Sequence, residues 1–504
     1  MSSRHVDITK LSGKQIELEK GSLWTWLGPI GVVLALIGIG GGFAAGGAEE
    51  ARTWYALLAG YTSVFALGLG GLFFCIIAHL VRIHWGIVPR RLAENLAITL
   101  PLTGLVGLLM AFGPGTHHVY EWTHHEVPYE TTSVEECGAA NLAQIREVEA
   151  DLHGHHHAKG AEHDEFGGRD VRSGWVVSQD PVSCFKKHSI EDDEMLSAKR
   201  PYLNINAFRM RTVIFYLILS GWAFFYWRNS TWQDGLDREK DRDKIFAISE
   251  RMRWWAPLAL ACFALSMTFG AFDMLMSLDP HWFSTIFGVY YFAGGALSMF
   301  SFMAFFTALL LSSGYLKDVL TVDHTHDFAK YMFGFTVFWA YIGFSQYFLI
   351  WYADIPEETH WFHYRGEGDW MTVSLLLVFG RFVVPWFILL RRTVKRSPWL
   401  LAIMGTFVVM MEYVDMFFLT GPARAHHESV AHKVHALKDG NIVEGYTAAH
   451  EAATTVLFGA PEILMLLGMA GLFLAGFGFA LAANKIVPVN DPRFAESVNH
   501  ENLY

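Results

Sequence analysis

Ten long apolar runs constrain this 504-residue chain more than any other feature. A helix needs about 20 predominantly apolar residues to cross the hydrocarbon core of a bilayer, and runs of that length recur from one end of the chain to the other. The sequence therefore predicts an all-α polytopic membrane protein with about ten transmembrane helices. The predicted spans are 24–45, 54–82, 94–112, 206–227, 255–276, 285–311, 328–352, 371–391, 399–420 and 457–483.

The composition agrees with a chain that lies mostly in lipid. Only 17% of the residues are charged and 52% are hydrophobic, whereas about a quarter of the residues of a soluble protein are charged. The net charge is -11, and no basic stripe is present that would bind the phosphates of a nucleic acid. Lipid is an expected partner, and nucleic acid is not.

Lysine and arginine are concentrated in alternate connections between the spans, and such residues favour the cytoplasmic side. Both termini are therefore predicted to be cytoplasmic, and the polar first residues show no convincing signal-peptide pattern. The predicted segments are an N-terminal segment 1–22, helices 1–3 in 23–112, a periplasmic His-rich acidic loop 113–205, helices 4–9 in 206–420, a periplasmic loop 421–456, helix 10 in 457–484 and a tail 485–504.

The cysteines and histidines limit the redox chemistry of the chain. Cys75 and Cys262 lie in spans, whereas Cys137 and Cys184 share the first outer loop, where a disulfide and two free thiols are both open. His79 is the one histidine well inside a span, and no cysteine cluster or haem-attachment motif is present. We expect no haem or iron–sulfur cluster in this chain. If the protein takes part in electron transfer, the redox centres belong to partner subunits.

The outer loop also contains HGHHHAKGAEH at 153–163. Imidazole suits zinc, copper and nickel, so this segment is either a metal site or, as we favour, a solvated loop. No metal site is predicted.

Ionisable and amide side chains at membrane depth mark functional candidates, because they are costly to place in lipid. Here they gather in the outer halves of the spans. The candidates are Asp273, Tyr341, Gln346, Arg381, Glu412 and Asp415, with His281 at the outer surface.

Depth along the helices groups these candidates. Arg381 lies about 15 Å below the outer surface, Glu412 about 12 Å and Asp415 about 7 Å, at 1.5 Å per residue. An Arg381–Glu412 pair is therefore predicted, with Asp415, Asp273 and His281 leading outward as proton-transfer candidates. The alternative is a purely structural role, in which the ion pair only holds two helices together.

Oxidation of a hydroquinone would use such an arrangement, because it needs an apolar slot, hydrogen-bond partners and a group that takes up protons. Gln346, Arg381 and Tyr341 are the candidates for a quinone-type pocket.

At the start of the sixth span, Asp279 is predicted to be the helix N-cap and Pro280 the first helical residue.

Five segments within residues 90–420 carry a family resemblance. They are AFDMLMSLDPHWFSTIFGVYYFAGG (271–295), GFTVFWAYIGFSQYFLIWYADIPEET (334–359), VVMMEYVDMFFL (408–419), GTHHVYEWTHHE (115–126) and PYLNINAFRMRTVIFYLILSGW (201–222). These segments resemble one family of integral membrane subunits of alternative complex III, a bacterial quinol:cytochrome c oxidoreductase. The membrane subunits of that family are polysulfide-reductase-like (NrfD-like) and of the quinone-binding type.

The resemblance implies two four-helix bundles plus an additional helix pair in the bacterial inner membrane, a quinone-binding kinship and a role in proton translocation. It implies as partners a multihaem and a monohaem cytochrome c, an iron–sulfur protein, a sister quinol-binding membrane subunit and small membrane subunits. Two alternatives stay open: a purely proton-conducting or structural subunit of the same complex, and a secondary transporter. The transporter is disfavoured because the spans are mostly continuous and show no clear repeat.

Overall fold

A computed structural model describes residues 6, 11–124, 126–131, 137–138, 141–149, 184–191 and 193–501, so the His-rich segment 153–163 lies outside the described residues. Ten of its helices are long and apolar enough to cross a membrane, which confirms the all-α polytopic fold. They are α1 (Leu27–Gly46), α2 (Ala51–Leu80), α3 (Ile87–Ala97 continued by Leu100–Phe112), α4 (Ile205–Asp234), α5 (Arg242–Met274), α6 (Phe287–Ser312), α7 (Val322–Ala353), α8 (Trp370–Leu376, a π-helical turn Leu377–Val383, then Val384–Leu390), α9 (Pro398–Asp439) and α10 (Ala460–Ala483).

Shorter elements lie at the two membrane faces. The short α-helices are Gly115–Val119, Glu194–Lys199, Pro356–Gly366, Arg392–Arg396, Ile442–Thr454 and Phe494–Val498. The 3₁₀ turns are Gly13–Gln15, Leu23–Trp26, Glu121–Thr123 and Met276–Leu278. One antiparallel strand pair, β1 (Glu126–Thr131) and β2 (Cys184–Ser189), places Thr131 opposite Cys184.

The spanning helices pack as two four-helix groups and a pair. Helices α2 to α5 contact one another around the first bundle, and α6 to α9 do so around the second. Helix α2 also packs against α6 and α9, so that it joins the bundles, while α1 runs along α10 at the periphery. This is the arrangement expected from the resemblance.

Glycines allow the peripheral pair to approach closely. A Cβ built on Gly38 of α1 would lie 2.2 Å from the backbone nitrogen of Gly468 on α10. Small residues at facing positions let two spanning helices pack backbone to backbone, which is the main source of attraction where no water is expelled. The pair therefore depends on glycine at this crossing.

The described parts of the N-terminal and C-terminal segments lie at the same face of the bundle. The Leu316 N–H donates to the Lys14 carbonyl at 3.1 Å, and the Ile486 N–H donates to the Ile16 carbonyl at 2.8 Å. The N-terminal segment, the α6–α7 connection and the C-terminal segment thus meet at one face, called the inner face below. That this face is cytoplasmic stays a prediction.

Most of residues 421–456 are helical, whereas the sequence predicts a loop there. Helix α9 continues outward to Asp439 and ends at Gly440, whose φ of 78° suits glycine. The following helix, Ile442–Thr454, turns back so that Ile442 and Tyr446 pack with Ala436 of α9. This apolar contact stabilises the helical extension of α9 beyond the spanning segment.

A small apolar cluster at the outer face, called the outer core, consists of Cys137, Ile145, Val148, Cys184, Ala436, Ile442 and Tyr446. A disulfide joins Cys137 to Cys184 within it, with their Cα atoms 6.0 Å apart. The sequence left a disulfide and two free thiols open, and the structure contains the disulfide.

We predict that Cys137→Ser lowers the stability of this outer core by about 3 kcal/mol, because the unfolded loop gains conformational freedom. Urea-dependent protease cleavage of the outer loop measures this, with Cys262→Ser as the control. Equal urea midpoints for the two variants would contradict it.

Candidate functional site

A buried ionic cluster lies in the outer half of the second bundle, as the sequence predicts. The Arg381 guanidinium of α8 donates to Glu412 of α9 and lies 3.1 Å from Asp415 Oδ2. None of the three side chains is more than 2% exposed. The predicted Arg381–Glu412 pair is therefore present, and Asp415 shares the same guanidinium.

Local helix geometry brings these groups together. Glu412 and Asp415 are three residues apart on α9 and so share one face. Arg381 lies in the π-helical turn that precedes Pro385, a kind of distortion that is frequent at functional sites. Gly294 of α6 leaves the necessary room, because a Cβ there would lie 2.8 Å from Arg381 Nη2.

Neutral donors complete the cluster. The Tyr290 hydroxyl donates to Asp415 Oδ1, and Trp339 Nε1 donates to Asp415 Oδ2 at 3.0 Å. Ser298 Oγ donates to Glu412 Oε2 at 2.6 Å. We call Tyr290, Trp339, Arg381, Glu412 and Asp415 the outer cluster.

The charges of the outer cluster do not cancel when both acids are ionised. One guanidinium faces two carboxylates within ion-pair distance, so one negative charge remains. An uncompensated charge is costly in a buried, low-dielectric site. Binding of one proton removes that charge, and this makes the cluster chemically suited to hold and release a proton.

A large pocket adjoins the outer cluster. It has a volume of about 1740 Å³ and lies between α7, α8 and the helix Pro356–Gly366, which we call the roof helix. Gln346 and Tyr341 line it among many aromatic and aliphatic side chains. The Gln346 amide oxygen accepts a hydrogen bond from Ser284 Oγ at 3.2 Å. An apolar slot with an amide in its wall is thus present.

Two residues belong to both the pocket wall and the outer cluster. Tyr290 and Trp339 line the pocket and also donate to Asp415. The Tyr290 hydroxyl therefore connects the pocket to a buried carboxylate through a single hydrogen bond. A proton released in the pocket would have a short route to the cluster.

The predicted single row of titratable groups is wrong, because Asp273 lies elsewhere. Asp273 forms a bidentate ion pair with Arg211 of α4, in which both N–O distances are 2.9 Å. It lines a separate cavity of about 50 Å³ in the first bundle. Depth along the membrane normal placed Asp273 correctly at the outer side but could not indicate which bundle it faces.

Arg381 also does not line the large pocket, contrary to its assignment as a pocket residue. Its guanidinium carbon lies 4.7 Å from the centre of the Trp339 ring. Its Nη2 donates to Glu412 and its Nη1 donates to the Met411 carbonyl at 3.0 Å. Arg381 therefore acts on the carboxylates rather than on a molecule in the pocket.

Asp279 is not the N-cap of the sixth span. Helix α6 begins at Phe287, and Asp279 Oδ1 instead accepts from the backbone N–H groups of His281 and Trp282, both at 3.2 Å. The His281 ring lies at the outer surface, where its Nε2 is 2.8 Å from Asp193 Oδ2. His281 is thus separate from the outer cluster.

The second oxygen of Asp279 holds the roof helix. Asp279 Oδ2 is hydrogen-bonded by His360 Nε2 at 3.0 Å and by the Tyr364 hydroxyl at 2.8 Å. Trp361 stacks on Trp282 with ring centres 4.3 Å apart. The roof helix that covers the pocket is therefore bound to the connection between α5 and α6.

Arg365 binds the other side of the roof helix to α9. Pro422 cannot donate to the carbonyl four residues earlier, which leaves the Phe418 carbonyl without its helical partner. Arg365 Nε donates to that carbonyl at 3.3 Å, and Nη2 donates to the Leu419 carbonyl at 3.0 Å. A proline in the helix thus creates the attachment point for the roof.

The Asp279–His360 contact lies outside the spanning helices and is expected to depend on pH. Burial lowers the pKa of His360, but the hydrogen bond and charge of Asp279 outweigh it and raise the pKa above the ordinary 6.5. Burial raises the pKa of Asp279, but His360 and Tyr364 outweigh it and lower the pKa below 3.8. The contact therefore stabilises the roof fully between these two ordinary values.

We predict that the roof helix loosens as the pH rises from 6.5 through the raised pKa of His360, because the charge on the imidazole is then lost. Hydrogen–deuterium exchange of residues 356–366, corrected for intrinsic rates, measures the effect between pH 6 and 9. In His360→Gln, which keeps a donor but cannot titrate, the protection should be lower and independent of pH. Wild-type protection that is flat across this range would contradict the prediction.

No protein-family model and no curated protein matches the chain. A functional assignment therefore depends on the chemistry of the outer cluster and pocket, together with the resemblance of the quoted segments.

Proposed function

We propose that the chain is a membrane subunit of a bacterial quinol:cytochrome c oxidoreductase of the alternative complex III type, placed in the inner membrane and active in the respiratory electron transport chain. Its large pocket would take the quinone or quinol, and its outer cluster would take up protons. The observation that carries the proposal is that Tyr290 and Trp339 line the pocket and also donate to Asp415.

The residues present suit a quinone-type molecule. The pocket is large enough for a ring and part of an isoprenoid tail, its walls are mostly aromatic and aliphatic, and Gln346 supplies an amide. Such a mixture of an apolar cleft with few polar groups is typical of small-molecule sites. Gln346 would hydrogen-bond one oxygen of the head group.

Oxidation of a quinol releases two protons and two electrons, and both protons would leave by one route, the second after Asp415 has released the first to the outer face. The Tyr290 hydroxyl can accept a proton from the pocket while it passes its own to Asp415 Oδ1, so that no charge need remain on the tyrosine. Arg381 would then hold the second carboxylate, Glu412, in its ionised form. The electrons would pass to the iron–sulfur and cytochrome c partners that the resemblance implies.

A proton-conducting subunit without quinol turnover is the second candidate. The outer cluster favours it, because its three charged groups are buried and pair with one another without a molecule in the pocket. In that case the pocket would hold lipid or a neighbouring subunit. No specific contact among the described residues favours a secondary transporter.

Purification in mild detergent tests the class of the protein. The proposal predicts that the chain co-purifies with haem-bearing polypeptides and that the preparation reduces cytochrome c when quinol is added. A chain that purifies alone, without haem absorbance and without this activity, would contradict the proposal.

Gln346→Leu is predicted to raise the KM for quinol about three- to tenfold with little change in kcat, because one hydrogen bond to the head group is lost. Steady-state reduction of cytochrome c over a range of quinol concentrations measures this. Ser345→Ala is the matched control, since Ser345 is the neighbouring residue and is not in the pocket wall. An unchanged KM in Gln346→Leu would remove Gln346 from the site.

A further inference from the structure

A second buried ionic cluster lies at the inner end of the first bundle. Arg90 and Arg91 of α3 connect three carboxylates: Arg90 lies 2.9 Å from Glu94 and 2.9 Å from Asp491, and Arg91 lies 2.5 Å from Asp234. All five residues are buried. We call Arg90, Arg91, Glu94, Asp234 and Asp491 the inner cluster.

The inner cluster, like the outer cluster, contains one more carboxylate than guanidiniums. Three carboxylates meet two guanidiniums within ion-pair distance. Lys485 acts on Asp234 from the C-terminal segment, and the Asn490 N–H donates to Asp234 Oδ1 at 3.1 Å. Within the ion pairs themselves, one carboxylate is in excess when all three are ionised.

Several polar atoms of this region have no hydrogen-bond partner among the described residues. They include Arg91 Nη1, both amide atoms of Asn95, Ser230 Oγ and His79 Nε2. Arg91 Nε and Glu94 Oε2 lie 3.4 Å apart as an ion pair but likewise make no hydrogen bond. Asn95 is 0% exposed and lies one helical turn after Arg91, next to Glu94. A buried amide without any hydrogen-bond partner is rare, because an unpaired polar group loses its hydrogen bonds to water and gains none in return.

The chemistry of these atoms suits water. Arg91 and the Asn95 nitrogen donate, whereas Glu94, the Asn95 oxygen and Ser230 accept, and a water molecule needs both kinds of partner. An anion would meet the excess carboxylate and be repelled. Water can both donate to the acceptors and accept from the donors, and it can share a proton with the carboxylates.

We propose that the inner cluster is a hydrated, protonatable site, in which ordered water bridges Glu94, Asn95 and Ser230 and one of the three carboxylates exchanges a proton through that water with the inner face. The site goes beyond the proposed function, which uses only the outer cluster. Each of the two bundles would then hold a proton-binding site, at opposite faces of the membrane.

A density map of the full chain in lipid nanodiscs, at about 2 Å resolution, tests the hydration. We expect ordered water within hydrogen-bond distance of Glu94 Oε2 and of the Asn95 amide. A map in which protein groups satisfy these atoms and no water is present would overturn the proposal.

Infrared difference spectroscopy between pH 5.5 and 8.5 tests the proton. We expect a carboxylic C=O band that disappears in one of the variants Asp234→Asn, Glu94→Gln and Asp491→Asn, and that persists in Asp237→Asn, which alters an exposed acid at the same face. Difference spectra in which none of the three cluster variants loses a C=O band would overturn the proposal.

Asn95→Leu supplies a second variant that keeps every charge of the cluster. The loss of bridging water should slow hydrogen–deuterium exchange of the C=O band at least about tenfold, whereas Thr103→Val, equally buried on α3, should leave it unchanged. Equal exchange rates in Asn95→Leu and the wild type would overturn the role of water. None of these measurements needs quinol turnover, so their failure is distinguishable from failure of the proposed function.

Discussion

Arg381→Met is expected to destabilise the protein by about 3–5 kcal/mol, because it leaves Glu412 and Asp415 buried with no cation. Methionine nearly fills the space of the arginine stem, so the loss would come from charge rather than from a cavity. Thermal or denaturant unfolding of the purified protein, together with its yield in the membrane, measures the effect. Arg391→Met, an exposed arginine at the end of the same helix, should stay within about 0.5 kcal/mol of the wild type.

A triple variant separates charge from packing. Addition of Glu412→Gln and Asp415→Asn to Arg381→Met removes all three charges together, and a buried ion group replaced as a whole is often tolerated. We therefore expect most of the lost stability to return. A triple variant as unstable as Arg381→Met would show that the guanidinium matters for its shape rather than for its charge.

Asp415→Asn is expected to lower quinol:cytochrome c turnover, or the proton release coupled to it, by about 10²-fold, because general acid–base groups contribute at least that much. Glu412→Gln should act in the same direction. Each single amide leaves one carboxylate for one guanidinium, so the fold and the assembly with partners should survive. Turnover and pH changes measured on the same preparation separate chemistry from coupling.

Two further variants sharpen this result. Glu428→Gln alters a half-exposed acid on the same helix and should leave both activities unchanged. Tyr290→Phe removes the hydroxyl that joins the pocket to Asp415 and should reproduce much of the Asp415→Asn defect. Wild-type turnover and wild-type proton release in both Asp415→Asn and Glu412→Gln would remove the functional interpretation of this pair.

The sequence alone predicts the parts of the site that depend on helix period and membrane depth. Glu412 and Asp415 share a face because they are three residues apart, and the predicted depth of Arg381 brought it level with Glu412. The spanning runs themselves follow from length and hydropathy. These quantities are local to one helix, so a single sequence contains them.

Helix period and membrane depth do not show which neighbouring helix a side chain faces. Asp273 lies at the expected depth, yet its partner is Arg211 in the first bundle, because packing between helices decides which way a side chain faces. Tyr290 and Trp339 were missed for the same reason: aromatic residues are common in spans, and nothing in their spacing distinguishes a carboxylate donor from a packing residue.

The roof helix could have been found from the sequence. Pro356 stands at its first turn and is followed by Glu357 and Glu358, a pattern that is typical of a helix start. Its attachment to Asp279 through His360 and Tyr364 could not, since that contact joins residues 81 and 85 positions apart. The motif SLDPHW instead favoured an N-cap, a local solution that the tertiary contact replaces.

The most direct test of the account is a map of the intact particle, isolated in mild detergent with a quinone analogue added. We predict that the head group lies in the pocket between α7, α8 and the roof helix, within hydrogen-bond distance of Gln346 or Tyr290, in a particle that also contains haem. A pocket filled by lipid or by a neighbouring subunit, with the analogue bound only in another polypeptide, would contradict it.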